Sequence, residues 1–258
     1  LVGEIRTFLT LLKHLMILIG KCLSEEKGSS TMLEETIRKH RQLKPMLIMS
    51  HLVLGYPSFE ENRKIIDVMA RSGVELVELQ IPFSEPTADG PVILKANGLS
   101  IKNGTKVQQC FDFAAEVSQT YPEVSFLIMT YYNIVFVQGE SEFIKKAKKS
   151  GIKGFIIPDL PPEEADGWLK LCLDEQMNSI FIFTPTHTQQ RLVEISQVAN
   201  GFVYCIGRRG VTGTKTEFDS TLAQQIEKYR LATKLPIALG FGIQEKSDID
   251  FLDRKSVV

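Results

Sequence analysis

The sequence predicts an α/β protein, a (β/α)8 TIM barrel that lacks its eighth strand and helix. Short, almost wholly apolar runs alternate with amphipathic segments, which is typical of parallel strands covered by helices. Seven such units follow one another in a chain of 258 residues, near the usual barrel length of roughly 250. A doubly wound sheet is the alternative, but its first turn usually reads GxGxxG, whereas this chain has Gly55-Tyr56-Pro57-Ser58.

The elements follow in order after Met32. Strands are predicted at the apolar runs 47–55, 74–81, 124–131, 154–158, 179–183, 201–206 and 235–240. Helices are predicted at the amphipathic runs 33–43, 59–72, 107–120, 141–150, 163–175, 189–198 and 220–230, with another beginning at 245.

The two ends of the chain depart from this pattern. Residues 8–20 are strongly apolar, but they are fewer than the roughly 20 that span a bilayer, and no small-x-small cleavage site follows them. We expect residues 1–31 to be an extension that is not native, with Met32 as the start of the barrel domain 32–258. Because no eighth strand follows 235–240, we expect strands one and seven to have open edges and the domain to fold only marginally.

Composition excludes several classes of function. Thirty basic and 31 acidic residues give a net charge of -1, so the chain lacks the excess of positive charge that is typical of proteins that bind nucleic acid or an anionic membrane. The four cysteines and four histidines are scattered without metal-ligand spacing, so no metal site is expected. Reduced thiols in the cytoplasm are the simplest interpretation of the cysteines.

Two carboxylates are candidates for acid–base catalysis, because barrel enzymes place their chemistry at the carboxyl ends of the strands. Glu78 lies inside the apolar second strand, where burial would raise its pKa into a useful range. The alternative is an outward-facing glutamate paired with a lysine. Asp89 follows in the loop, where a simple turn-forming role before Gly90 is the alternative.

Glycine-rich turns at 207–213 and 240–242 follow strands six and seven, where barrel enzymes often bind phosphate. Tyr131, Tyr132 and Asn133 end strand three, and Tyr204 lies in strand six. These aromatic residues either pack the barrel or form walls for a flat ligand. The residues alone therefore predict an enzyme that acts on a small phosphorylated compound by acid–base chemistry.

Five segments resemble, in order, the alpha subunit of tryptophan synthase: VELVELQIPFSEPTADGPVIL, MTYYN, FIIPDLP, RRGVTG and LGFGI. The resemblance covers roughly Met32 to Leu252. It implies a cytoplasmic retro-aldol lyase of tryptophan biosynthesis, which cleaves indole-3-glycerol phosphate to indole and glyceraldehyde 3-phosphate. It also implies no cofactor in this chain, and docking on a PLP-dependent beta subunit in an alpha–beta–beta–alpha heterotetramer.

The resemblance further implies a role for each matching residue. Glu78 would be the catalytic acid–base, and Asp89 would stabilise the indole N–H as positive charge develops. The residues that would bind the substrate are Tyr204, Gly213, Gly242, Met129 and Tyr131. Arg208 would belong to a loop that closes over the site. The residues that would contact the partner are Pro82, Glu85 and Asn133.

The chain also departs from the family pattern. Gln80 stands where the family prefers glycine, on the strand face of Glu78, and we expect it to crowd or hydrogen-bond that carboxylate. Tyr56, Glu85, Thr87 and Arg209 are further departures, and loss of strand eight would remove half of the phosphate clamp. We therefore expect a lyase of impaired activity, and the alternatives are a non-catalytic activator of the beta subunit and an inactive truncated product. A different barrel enzyme is less favoured, because the chain lacks the strand-end lysine of related aldolases.

Overall fold

The computed structural model describes residues 16–19, 30–206 and 220–240. The described strands form one sheet: β1 Met16–Ile19, β2 Leu47–Val53, β3 Leu76–Gln80, β4 Ser125–Met129, β5 Gly154–Ile156, β6 Asn178–Ile180, β7 Ile182–Phe183, β8 Val203–Ile206 and β9 Ile237–Gly240. Their order is β6-β5-β4-β3-β2-β1-β9-β8-β7. Because β6 and β7 are separated only by Phe181, they are two halves of one strand and close the sheet into a barrel.

The helices lie between the strands along the chain: α1 Met32–Leu43, α2 Phe59–Arg71, α3 Pro91–Lys102, α4 Val107–Thr120, α5 Tyr132–Gln138, α6 Glu140–Lys149, α7 Asp166–Asp174, α8 Gln189–Val198 and α9 Ser220–Ala232, with a 3-10 turn at Pro162–Glu164. Side-chain caps begin several of them, such as Ser58, which accepts from the Glu61 N–H. Within the described ranges, no helix is long and apolar enough to cross a membrane.

The predicted elements are confirmed apart from their ends, and two helices were missed. α3 begins with Pro91 at its first position, in a segment that the sequence indicated only as a loop. α5 has only seven residues and begins directly after Tyr131, at the end of the third predicted strand. Seven residues are about two helical turns, which is too short for an apolar period to be recognised. The helix predicted from residue 245 lies outside the described residues.

β1 corrects the expectation about the edges of the barrel. It runs antiparallel between β2 and β9, so that Met16 pairs with both Met49 and Gly240. The neighbouring strand pairs β2–β3, β3–β4 and β8–β9 are parallel. β2 and β9, which are the first and seventh predicted strands, are therefore each paired with β1 and do not have the open edges that we expected. The predicted absence of an eighth parallel strand concerns residues after Gly240, outside the described part, and it stays a prediction, as does the domain boundary at Met32.

Alternation along the strands divides the apolar residues into two layers. In β4, Phe126 and Ile128 pack in the cluster between sheet and helices, whereas Leu127 and Met129 belong to the cluster inside the barrel. In β3, Leu76 belongs to the inner cluster and Val77 and Leu79 to the outer one. The same alternation places Glu78 and Gln80 on the inner face, which positions the candidate site.

Candidate active site

Glu78 lies inside the barrel, near the carboxyl end of β3. Its Cα partners in the sheet are His51 on β2 and Leu127 on β4. The residue is only 4% exposed. Burial, and secondarily the negative charge of Asp89, raise the pKa of the Glu78 carboxyl to about 8. The side chain therefore holds a proton at neutral pH and can donate it.

Glu75, a second carboxylate three residues earlier in the chain, has a different environment. It is also buried, but it accepts a 2.8 Å hydrogen bond from the Ile48 N–H and forms an ion pair with Lys44. Lys44 precedes β2, Ile48 is its second residue, and Glu75 directly precedes β3, so these contacts lie at the end of the barrel opposite the carboxyl ends of the strands. Glu75 therefore ties the start of two strands together and takes no part in the candidate site.

Asp89 is held by hydrogen bonds from two sides. Its Oδ2 accepts from the Gln80 Nε2, at 2.7 Å, and from the Tyr131 Oη, at 3.1 Å. The Tyr131 hydroxyl in turn accepts from the Ala88 N–H at 3.0 Å, and its ring stacks on Phe83 with centroids 5.1 Å apart. The loop after β3 is thus fixed to the end of β4, with Asp89 turned toward the barrel.

Gln80 contacts Asp89 and His51, a different arrangement from the contact with Glu78 that the sequence suggested. Its Oε1 lies 2.7 Å from the His51 Nε2, and the glutamine is fully buried. Burial lowers the pKa of His51 to about 4, although the hydrogen bond to Gln80 opposes this. The sequence did not indicate His51 as a site residue. Alternation from Leu47 and Met49 could have placed it on the inner face.

Tyr204 on β8 completes the wall opposite β3. Burial, then the negative charges of Glu78 and Asp89, raise the pKa of its hydroxyl. A Cβ at Gly240 would lie 3.2 Å from the Tyr204 ring, so the glycine leaves room for the aromatic side chain. Met129, buried at the end of β4, pairs with Gln80 across the sheet. The structure therefore brings Glu78, Asp89, Met129, Tyr131 and Tyr204 to one end of the barrel.

The remaining predicted residues do not all join this group. Arg208, Gly213 and Gly242 lie outside the described residues, and with them the predicted phosphate turns. Pro82 is buried in the loop after β3, whereas Glu85 and Asn133 are exposed near the same end of the barrel. Asn133 is on α5 with Phe136 and Val137, which are 70% and 73% exposed.

The fold and the site define a class: a (β/α)8-barrel enzyme with a buried, protonated carboxyl group and a second carboxylate at the carboxyl ends of its strands. The family model of the tryptophan synthase alpha chain matches residues 37–256. The match runs four residues past the resemblance seen in the sequence. The chain belongs to the tryptophan synthase alpha chain family, a family of lyases.

Relatives and solved structures agree with this assignment. The tryptophan synthase alpha chain of Desulfotalea psychrophila is 48% identical over 224 residues, 87% of this chain and 88% of the relative. That of Syntrophotalea carbinolica is 46% identical over 225 residues, again 87% and 88%. The structure of tryptophan synthase from Mycobacterium tuberculosis superposes with a TM-score of 0.75 at 26% identity and covers 83% of this chain and 82% of that chain.

Proposed function

We propose that this chain is a working tryptophan synthase alpha subunit, which cleaves indole-3-glycerol phosphate to indole and glyceraldehyde 3-phosphate. The observation that supports it is the environment of Glu78. A carboxyl group with a pKa of about 8 lies on the inner face of the barrel, beside Asp89 and Tyr204. Two carboxyl groups and an aromatic wall are what an acid–base cleavage of an indole derivative needs.

In this mechanism Glu78 handles both protons. Its carboxyl group gives a proton to the indole ring carbon that bears the glycerol chain, and the ring becomes positively charged. Asp89 stabilises that charge by accepting a hydrogen bond from the indole N–H. The Glu78 carboxylate then takes the proton of the neighbouring glycerol hydroxyl, so the aldehyde forms, the carbon–carbon bond breaks, and its electron pair returns to the ring. Glu78 ends protonated, as it began.

The other family-matched residues bind the substrate in this proposal. Met129, Tyr131 and Tyr204 would line the ring, and the first two are buried while Tyr204 is half-buried. Gly213 and Gly242 would bind the phosphate through their N–H groups, and Arg208 would belong to the loop that closes over it. These last three roles follow from sequence similarity alone.

The proposal includes a beta-subunit partner. The structure of the tryptophan synthase a2b2 complex from Pyrococcus furiosus superposes with a TM-score of 0.75 at 27% identity. Pro82, Glu85, Asn133 and the exposed residues of α5 would form the docking face. The beta subunit would hold PLP and this chain no cofactor. The free thiols of Cys110, Cys172 and Cys205 favour the reducing cytoplasm as the location.

The test measures indole release from indole-3-glycerol phosphate by the full chain, alone and with a family beta subunit. Glu78→Gln should lower kcat by about 10²- to 10⁴-fold, the usual value of a general acid–base. Glu75→Gln is the matched control, and where it folds it should keep most of the activity. If the folded wild type releases no indole yet accelerates the beta subunit, the non-catalytic activator is the correct interpretation. If it does neither, the proposal is wrong.

A further inference from the structure

A continuous chain of hydrogen bonds runs along the inner wall of the site from His51 on β2, through Gln80 on β3, to Asp89 in the following loop. Both links are 2.7 Å long. Gln80 is fully buried, and His51 is 8% exposed. A buried amide costs free energy unless its donor and acceptor are both paired, and here each has a partner.

The chemistry of the groups sets the direction of this chain. A carboxylate only accepts hydrogen bonds, so the Gln80 amide turns its Nε2 toward Asp89 and its Oε1 toward His51. The Oε1 needs a donor, which requires the proton of the imidazole on the His51 Nε2. His51 thus fixes the amide orientation of Gln80, and Gln80 presents an N–H to Asp89. Neither a glycine at position 80 nor an apolar side chain at position 51 could do this.

We propose that Gln80, oriented by His51, is a positioning residue that fixes the carboxylate of Asp89 for catalysis. This inference rests on the proposed function, since it gives Asp89 its partner in the reaction. With Oδ2 held by Gln80 and Tyr131, which belong to different strand ends, the plane of the carboxylate is defined before substrate binds.

The first test is kinetic and compares Gln80→Met with Asp89→Asn and the double variant. Gln80→Met keeps the length of the side chain and removes both hydrogen bonds. We expect kcat to fall about 10-fold or more with a smaller change in KM, as for a hydrogen bond to a charged group. In the Asp89→Asn background the same substitution should change kcat less than about 2-fold, because Gln80 acts through Asp89.

Two further variants separate positioning from packing. His51→Gln keeps a side-chain N–H donor and should retain more activity than His51→Phe, which removes it. Ser100→Ala is the control: it deletes a buried hydrogen bond to the Leu54 carbonyl, 2.6 Å long and outside the site, and should leave kcat unchanged. Additive effects of Gln80→Met and Asp89→Asn, or an unchanged kcat in Gln80→Met, would overturn the inference.

Binding of indole tests the positioning role of Gln80 without the need for turnover. Indole itself is the probe, and its Kd is measured by NMR for the folded wild type and variants. Gln80→Met should raise the Kd several-fold, but it should not raise it further once Asp89 is asparagine. A wild type that binds indole this way yet cleaves no substrate would refute the proposed function and leave the positioning role standing. An unchanged Kd in Gln80→Met would refute the positioning role.

Discussion

At the scale of single residues, the environment assigns different roles to chemically identical groups. Glu75 and Glu78 are both buried, but Glu75 has a lysine and a backbone N–H as partners. Glu78 is instead removed from water and lies near the negative charge of Asp89, and both effects favour the protonated form of its carboxyl group. The sequence shows two glutamates three positions apart in one predicted strand and cannot tell which has a cation nearby, because Lys44 is 31 positions away from Glu75.

The shifted pKa of Glu78 predicts a pH dependence of stability. Its folded pKa of about 8 lies above the reference value of 4.5, so between these pH values the native state holds a proton that the unfolded state has lost. The Glu78 contribution is therefore fully present at low pH and is lost as the pH rises through about 8. Glu78→Gln has no proton to lose, so its stability relative to wild type should increase from pH 5 to pH 8.5, by roughly 4 kcal/mol.

Urea unfolding at several pH values, with wild type and Glu78→Gln side by side, measures this. His51, whose pKa is lowered to about 4, contributes the opposite slope below pH 6.5, but it is present in both proteins and cancels in the difference. A constant difference between Glu78→Gln and wild type across the range would contradict a raised pKa.

At the scale of elements, α5 and its N-cap residue place side chains toward the site and toward solvent within a few positions of each other. Tyr131, its N-cap residue, points into the site and donates to Asp89. The helix then turns Asn133, Phe136 and Val137 outward. It is tied to the next strand loop because the Tyr132 N–H donates to the Asp159 Oδ1 at 2.9 Å. A partner bound at α5 would therefore touch the element that holds Asp89 in place.

Phe136→Asp should weaken binding of a family beta subunit. An exposed aromatic side chain at the centre of a docking face typically contributes more than about 1 kcal/mol, so we expect the Kd to rise about 10-fold. The melting temperature should not change, since the residue is 70% exposed. Leu173→Asp on α7, at a residue 73% exposed, is the control and should bind normally. The Kd is measured by calorimetry, and equal affinities of the two variants would place the docking face elsewhere.

At the scale of the whole molecule, apolar periodicity was enough to predict the barrel, because every parallel strand is a compact apolar run between helices. The location of Glu78 and Asp89 at one end of the barrel could also be predicted, since both positions are fixed relative to a strand end, whereas their catalytic roles stay predictions. The link from His51 to Gln80 could not, because it depends on the side-by-side pairing of two strands 29 residues apart in sequence. β1 could not be predicted either, because a local pattern does not reveal pairing across the length of the chain.

β1 should contribute to the stability of the whole barrel. The strand has three registered pairs with β2 and four with β9, so it covers the edges of both. At about 1 kcal/mol for each backbone hydrogen bond, its loss should cost on the order of 5 kcal/mol, against a typical total of about 5–15. A chain that begins at Ser30 should therefore melt at least about 10 °C lower than the full chain.

The shortened chain should also self-associate, because β2 and β9 would expose unpaired N–H and C=O groups. Leu18→Pro in the full chain should act in the same direction, since it removes an N–H from the middle of β1. A synthetic peptide of residues 12–22, added to the shortened chain, should restore part of the lost melting temperature. Calorimetry and light scattering measure both effects. A monomeric shortened chain with an unchanged melting temperature would show that β1 does not close the barrel in solution.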